Sequence, residues 1–300
     1  MVILLAGASG LLGTALRRSL GNRHVRRLVR TPSPGDNSEE LLVWDARTPP
    51  SPHVFDDVTA VINLSGAGIG DRRWSSERLG VIRGSRIDST QALAIGLSRI
   101  SRPIRFIQAS AVGIYGDTGD RVTTEESSLG QTPLAHICID WEEAAQPAIN
   151  NGHPTVMIRT GIVLTNHGGA LGPLIRLIRL GVAGPLGSGR QWWPWIHITD
   201  WIEAVLFLLD STQEGAINLT APTPVRNKEF IKILARAHNR PAILPVPKPA
   251  LQIALGGFAH ELLRSQRVVP DRLLSSGFSF RYSELSEAAH ELTSLTNHSP

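Results

Sequence analysis

Hydrophobic positions in this chain follow two rhythms. Val2-Ile3-Leu4-Leu5-Ala6, Ala60-Val61-Ile62-Asn63-Leu64-Ser65-Gly66 and Arg105-Phe106-Ile107-Gln108-Ala109-Ser110 are short, nearly continuous apolar runs. Such runs read as strands covered on both faces. Residues 25–30, 41–44 and 156–159 read as further strands. Between these runs the apolar residues recur at helical spacing, over 11–20, much of 75–99 and 134–148. Strand and helix alternate through residues 1–165, which predicts an α/β fold with a doubly wound parallel sheet. Thr31-Pro32-Ser33-Pro34-Gly35-Asp36 reads as a surface loop between the second and third strands.

Past Gly161 the texture changes. Gly168-Gly169, Gly172-Pro173, Gly184-Pro185 and Gly187-Ser188-Gly189 punctuate short segments, and Trp192, Trp193, Trp195 and Trp201 gather around Pro194. Helices are expected over 223–239 and 250–263, with a proline-rich connector at 241–249. Residues 166–300 are therefore expected to form mainly a smaller α/β substrate lobe, parts of which cross back to the sheet.

The candidate chemistry sits at the N-terminal end. Behind the first strand comes Gly7-Ala8-Ser9-Gly10-Leu11-Leu12-Gly13, then the apolar-periodic helix. Gly7 allows a tight turn, Gly10 allows backbone to approach a pyrophosphate, and Gly13 allows helix to pack on strand. The helix N-terminus adds unpaired N–H groups and a positive dipole end. This is the fingerprint of a dinucleotide site in a Rossmann domain.

Composition narrows the class without changing that picture. The 300 residues are 42% apolar and 19% charged, enough for a full α/β core. No apolar run approaches the roughly 20 residues of a membrane span, and no basic leader precedes the first strand. The one cysteine, Cys138, excludes an internal disulfide and a thiolate metal cluster, so a cytoplasmic location is expected and no metal. Net charge is +4 and the isoelectric point about 9.8, but the arginines are scattered, with no basic block and no interleaved aromatics. Nucleic acid is not expected as a partner, and neither is a membrane.

The GxxGxxG spacing resembles the extended, sugar-nucleotide-epimerase-like branch of the short-chain dehydrogenase/reductase superfamily. A narrower resemblance runs through Asn63-Leu64-Ser65-Gly66, Arg72-Arg73-Trp74, Gly84-Ser85-Arg86, Asp140-Trp141-Glu142, Arg159-Thr160-Gly161 and Pro194-Trp195-Ile196-His197-Ile198. It continues in Ser265-Gln266-Arg267-Val268-Val269-Pro270, Leu273-Leu274 and Gly277-Phe278. This ordered set is similar to the subgroup described as epimerase-like or cell-division-inhibitor-like, with a characteristic C-terminal region. Enzymes of the superfamily usually work through a Tyr-x-x-x-Lys pair, the lysine lowering the tyrosine pKa. Here the two tyrosines are Tyr115 and Tyr282, followed four residues later by Gly119 and Ser286; the three lysines are Lys228, Lys232 and Lys248. The pair does not exist in this chain. Counting back from Trp141-Glu142, its places fall at Leu134 and Cys138, and the usual strand-five hydroxyl falls at Ala111, beside Ser110.

The resemblance implies a cofactor contact set. An NAD site normally has an acid after the second strand, to accept from the ribose 2′-OH. This chain has Arg26-Arg27-Leu28-Val29-Arg30-Thr31, and no acid before Asp36. A guanidinium pairs with a 2′-phosphate that a carboxylate would repel. NADP(H) is the expected cofactor, held by Arg30 and Thr31. The remaining expected contacts are Gly7, Ser9, Gly10, Leu11, Leu12, Gly13, Leu64, Ser65, Gly66, Arg86, Ser110 and Val163. Asp45 reads either as an adenine contact or as a turn residue. His197 reads as a hydrogen-bonded core histidine, and Asp200 or Thr199 as a cap for a helix from Trp201.

Two functional readings follow. One is an NADP(H)-dependent epimerase-like oxidoreductase acting on a small molecule, a sugar nucleotide by resemblance, through an unidentified acid or base. The other is a cofactor-binding sensor or partner-binding protein without turnover. Substitute proton donors, should turnover occur, are Ser110, Tyr115 and His197. The catalytic residue is unassigned, and the oligomeric state, a homodimer included, is left open.

Overall fold

The apolar runs assemble into a seven-stranded parallel sheet. In chain order its strands are β1 (Val2–Ala6), β2 (His24–Val29), β3 (Leu41–Val43), β4 (Val58–Asn63), β5 (Arg105–Ala111), β7 (Thr155–Thr160) and β11 (Gly215–Leu219). The two-residue β6 (Val122–Thr123) lies outside it. The spatial order is β11-β7-β5-β4-β1-β2-β3, every neighbouring pair parallel. The computed structural model describes residues 1–32, 40–166, 168–169, 171–242 and 244–294; the expected loop residues Ser33–Asp36 lie outside these.

Alternation along each strand distributes its side chains between two cores. Ile3 and Leu5 share a core with Leu16 and Leu20, at the end of helix α1 (Leu11–Ser19), and with Trp201, Val205 and Leu208 of a later helix. Leu4 and Ala6 face the opposite way, toward Leu93 and Leu97 of α2 (Ser76–Leu97) and toward Phe55. The helices α3 (Pro133–Glu143) and α4 (Gln146–Asn150) follow β6. One long helix is expected there; Pro147 in the first turn of α4 carries no N–H to continue α3, and the chain restarts.

The chain leaves the sheet after β7 and returns. The small lobe opens with β8 (Ile162–Leu164) and α5 (Gly172–Arg179), and continues with β9 (Trp192–Trp193) and β10 (Trp195–His197), which pairs with β8. Helix α6 (Ile198–Asp210) then packs beside α1, and β11 joins β7 at the sheet edge. A second excursion comprises β12 (Val225–Arg226), α7 (Asn227–Ala237), α8 (Lys248–Leu255), α9 (Phe258–Leu262), β13 (Arg267–Val268), α10 (Asp271–Ser275) and α11 (Leu285–Ser294). Its core joins Trp193, Trp195, Phe230, Leu234, Ala288 and Leu292.

Two more segments depart from the expected helices. The segment expected as a helix over 223–239 begins as strand β12, hydrogen-bonded antiparallel to β9, before α7. The segment 250–263 is two helices. Between them Gly256 adopts φ +62°, and a Cβ there would lie 2.4 Å from the Trp74 carbonyl oxygen, so the chain must turn at this residue. Among the described residues no helix is long and apolar enough to cross a membrane.

Candidate functional site

The strand order reverses between β1 and β4, and a cleft of about 840 Å³ opens beyond their C-terminal ends. In open α/β sheets this switch point is where ligands bind. Gly7, Ser9 and Gly10 line it from the glycine turn, Leu64, Ser65 and Gly66 from the β4 exit, and Arg30 and Arg47 from the segments past β2 and β3. Helix α2 presents Gly80, Val81, Gly84, Ser85 and Asp88 from the far side.

The glycines earn their places by contact. A Cβ on Gly7, at φ +78°, would lie 2.5 Å from the Leu64 carbonyl carbon; one on Gly13 would lie 2.1 Å from the Gly7 oxygen. Both distances are inside any real contact, so the glycine-turn-helix packing requires hydrogen at both positions. Helix α1 starts at Gly10 with no side-chain cap and no acid in its first turn, whereas Ser75 caps α2 and Thr132 caps α3. Its first N–H groups and positive end suit a phosphate. Leu11 and Leu12 make up that first turn, half-buried. These features fit a dinucleotide.

Arg30 is exposed just past β2, with Thr31 exposed after it. Arg86 lies under the β4 exit. Its Nη1 donates to the Ala67 and Ile82 carbonyls at 3.0 and 3.1 Å, and its guanidinium sits 5.1 Å from the Trp141 ring centre. A Cβ on Gly66 would come within 3.2 Å of it. Burial lowers the Arg86 pKa.

Asp45 lines the cleft and also anchors the turn past β3. Its carboxylate accepts from the backbone N–H groups of Arg47 and Thr48, both at 2.8 Å, and from the Thr48 hydroxyl at 2.7 Å. The Thr48 and Arg47 backbone bonds bring its pKa down to about 2.

Further along the sheet lies a polar network that the sequence did not disclose. Arg159, on β7, grips Glu142 of α3 through two 2.8 Å hydrogen bonds. Ser110 donates to the same carboxylate at 2.6 Å. The Tyr115 hydroxyl accepts from Arg159 at 2.9 Å and donates to Asn218 at 2.8 Å. The carboxylate bonding of Arg159 outweighs its desolvation and raises its pKa, while burial raises that of Tyr115. The signals were in the sequence, at Trp141-Glu142 and Arg159-Thr160-Gly161, but the pairing joins residues from different elements. Val163 packs in β8 opposite Ile196.

All three substitute donors are buried and engaged. Ser110 and Tyr115 serve the network just described. His197 caps α6, its Nδ1 accepting from the Thr199 N–H at 3.2 Å, with its ring 4.2 Å from that of Tyr282. Asp200 does not cap that helix; it accepts from the Arg281 and Tyr282 N–H groups at 2.7 and 3.0 Å, tying in the C-terminal segment. The helix begins three residues earlier than Trp201 because His197 supplies the acceptor.

The place of the usual tyrosine is filled with hydrocarbon. Leu134 packs against Gly113 and, through α9, against the Trp74–Phe258 cluster. Burial pushes the Cys138 thiol up to about 12, where it is inert. Helix α9 also brings Glu261, paired with Arg264 at 3.1 Å and raised in pKa by burial. Among the described residues no group of three His, Cys, Asp or Glu could hold a metal ion.

Comparison with known proteins agrees with this fold. Residues 3–220 match the model of the NAD dependent epimerase/dehydratase family, and residues 246–292 match a domain of unknown function. An epimerase family protein of Mycobacterium bovis is 42% identical over 292 residues, 96% of each chain. The crystal structure of the human epimerase family protein SDR39U1 with NADPH superposes with a TM-score of 0.89, at 30% identity, over 98% of this chain and 99% of that one. A nucleoside-diphosphate sugar epimerase structure from Corynebacterium glutamicum gives 0.80 at 32% identity, over 98% of this chain and 58% of that one.

Proposed function

The chain belongs to the NAD dependent epimerase/dehydratase family, and on that premise we propose that its cleft binds NADP(H) and that the protein is an epimerase-like oxidoreductase acting on a small molecule. The observation that carries the cofactor reading is the corner beyond β2. Arg30 is there, and the carboxylate of the adjoining β3 turn, Asp45, is engaged by that turn's own N–H and hydroxyl groups. The NADPH in the human relative supports the same choice.

Each part of the cleft has a task. The first turn of α1 offers N–H groups to the pyrophosphate, and Gly7, Gly10 and Gly66 admit backbone close to it. Arg30 and Thr31 take the 2′-phosphate; Leu64 and Ser65 pass the adenosine; Arg86 stiffens the β4 exit. A bound nicotinamide supplies or accepts a hydride. The proton that must accompany a carbonyl reduction cannot come from Leu134 or Cys138. Sugar nucleotides are the substrate class to test first, given the resemblance of the whole chain to their epimerases.

The second reading, a cofactor-binding protein without turnover, draws on the engagement of Ser110, Tyr115 and His197 in structural hydrogen bonds. Calorimetric titration decides the cofactor: NADPH is expected to bind more tightly than NADH. Arg30→Ala should remove most of that preference, on the order of 1.5–3 kcal/mol for a charge-assisted contact. Equal affinities in the wild type would sink the assignment. A screen of sugar nucleotides and small carbonyls with NADPH separates the two functional readings.

A further inference from the structure

Arg30 is not the only guanidinium that lines the cleft. Strands β2 and β3 are neighbours, Val29 opposite Val43, and the Trp44 N–H donates to the Val29 carbonyl at 2.8 Å. Arg30 is the first residue past β2, and Asp45, Ala46 and Arg47 form the turn past β3. Both arginines line the cleft.

The turn is built to hold that shape. Asp45 bonds the two N–H groups that follow and the Thr48 hydroxyl, and the Trp44 indole N–H donates to the Thr48 carbonyl at 2.7 Å. Ala46 sits at φ +63°, a left-handed conformation that a residue with a Cβ adopts only when its surroundings enforce it. The Arg47 side chain that emerges is 79% exposed. Its one described ion pair is loose: Nε to Asp88 Oδ2 at 3.4 Å, reaching toward α2 across the cleft mouth. Exposed pairs of this kind are weak and easily exchanged.

A 2′-phosphate carries more charge than one guanidinium neutralises, and its three oxygens can accept from two forks at once. From this arrangement we infer that Arg47 is a second specificity-determining residue for the 2′-phosphate, and that Asp88 competes with the phosphate for it. The inference rests on the NADP(H) reading of the cleft. It assigns the β3 turn a part in cofactor choice, where the adenine end alone would ask only for shape.

The experiment is calorimetric titration of NADPH and NADH into wild type, Arg47→Ala, Asp88→Asn and the double variant. Arg47→Ala should weaken NADPH about tenfold, a typical loss for one exposed charge-assisted contact, and leave NADH within about twofold. NADH affinity doubles as the folding control. Asp88→Asn should tighten NADPH severalfold, and only while Arg47 is present. Unchanged NADPH binding in Arg47→Ala overturns the inference. Equal weakening of both cofactors does too, since it marks a contact to adenine. Tightening in Asp88→Asn that is absent, or that persists without Arg47, removes the competition. A wild type that prefers NADH defeats the cofactor reading itself, whereas an NADPH preference untouched by Arg47→Ala defeats this inference alone.

Discussion

At the scale of single residues, burial decides what a reactive side chain is free to do. His197 is 2% exposed, and burial, then Arg281, brings its pKa down to about 4. Its Nδ1 is occupied as an acceptor, so the proton of the neutral ring sits on Nε2. The folded-state pKa lies below the unfolded value of about 6.5. Between these values the unfolded chain binds the extra proton, so the contribution is full above about pH 6.5 and is lost as pH falls toward 4. The loss is on the order of 3 kcal/mol. Asn keeps a cap acceptor at this position without titrating. His197→Asn should therefore flatten the pH dependence of urea-unfolding stability across that window. An identical slope in the variant would assign the proton uptake to another group.

At the scale of elements, the same substitution has opposite signs at two glycines in the helices that flank the cleft. Gly13→Ala drives a methyl into the Gly7 carbonyl and must push α1 off β1. Overpacking of this kind costs about 1–3 kcal/mol, and the phosphate cradle moves with the helix. Gly80, inside α2, has nothing within 4 Å of its Cβ position. There alanine should stabilise by about 0.5–1 kcal/mol through helix propensity and a less flexible unfolded chain. Thermal and urea unfolding of the two variants checks both signs; a neutral Gly13→Ala would mean that the helix and strand have room to part. The elements around these glycines were legible in the sequence because local periodicity specifies them. The breaks were not: Gly256 turns because Trp74 lies against it, and 225–226 becomes a strand because β9 offers an edge.

At the scale of the whole molecule, the two lobes are laced together. The chain leaves the sheet after β7, returns for α6 and β11, then leaves again. Cross-ties bind the parts: Asp200 to the Arg281 and Tyr282 backbone, the Asn218 amide to the Val269 carbonyl at 3.0 Å, and the Gln266 amide to the Val112 and Gly116 carbonyls at 3.0 and 2.8 Å. A single cooperative thermal transition is expected, and NADPH should raise it as one. At a hundredfold excess over Kd the linkage adds about 2.7 kcal/mol. Scanning calorimetry would show two transitions, with only one shifted by NADPH, if the lobes unfolded independently.

What the sequence by itself determined is what neighbouring residues decide among themselves. The strand runs, the glycine turn into α1, the lack of an acid between Arg30 and Asp36, and the missing tyrosine–lysine pair all follow from local order and residue type. Tertiary structure alone decided how distant side chains spend their hydrogen bonds. It joined Glu142 to Arg159 and Ser110, tied Asp45 into the β3 turn, and brought Arg47 and Arg30 into the lining of one cleft. A polar group's chemistry depends on the partners and solvent around it, and those are supplied by segments that come together only in the fold.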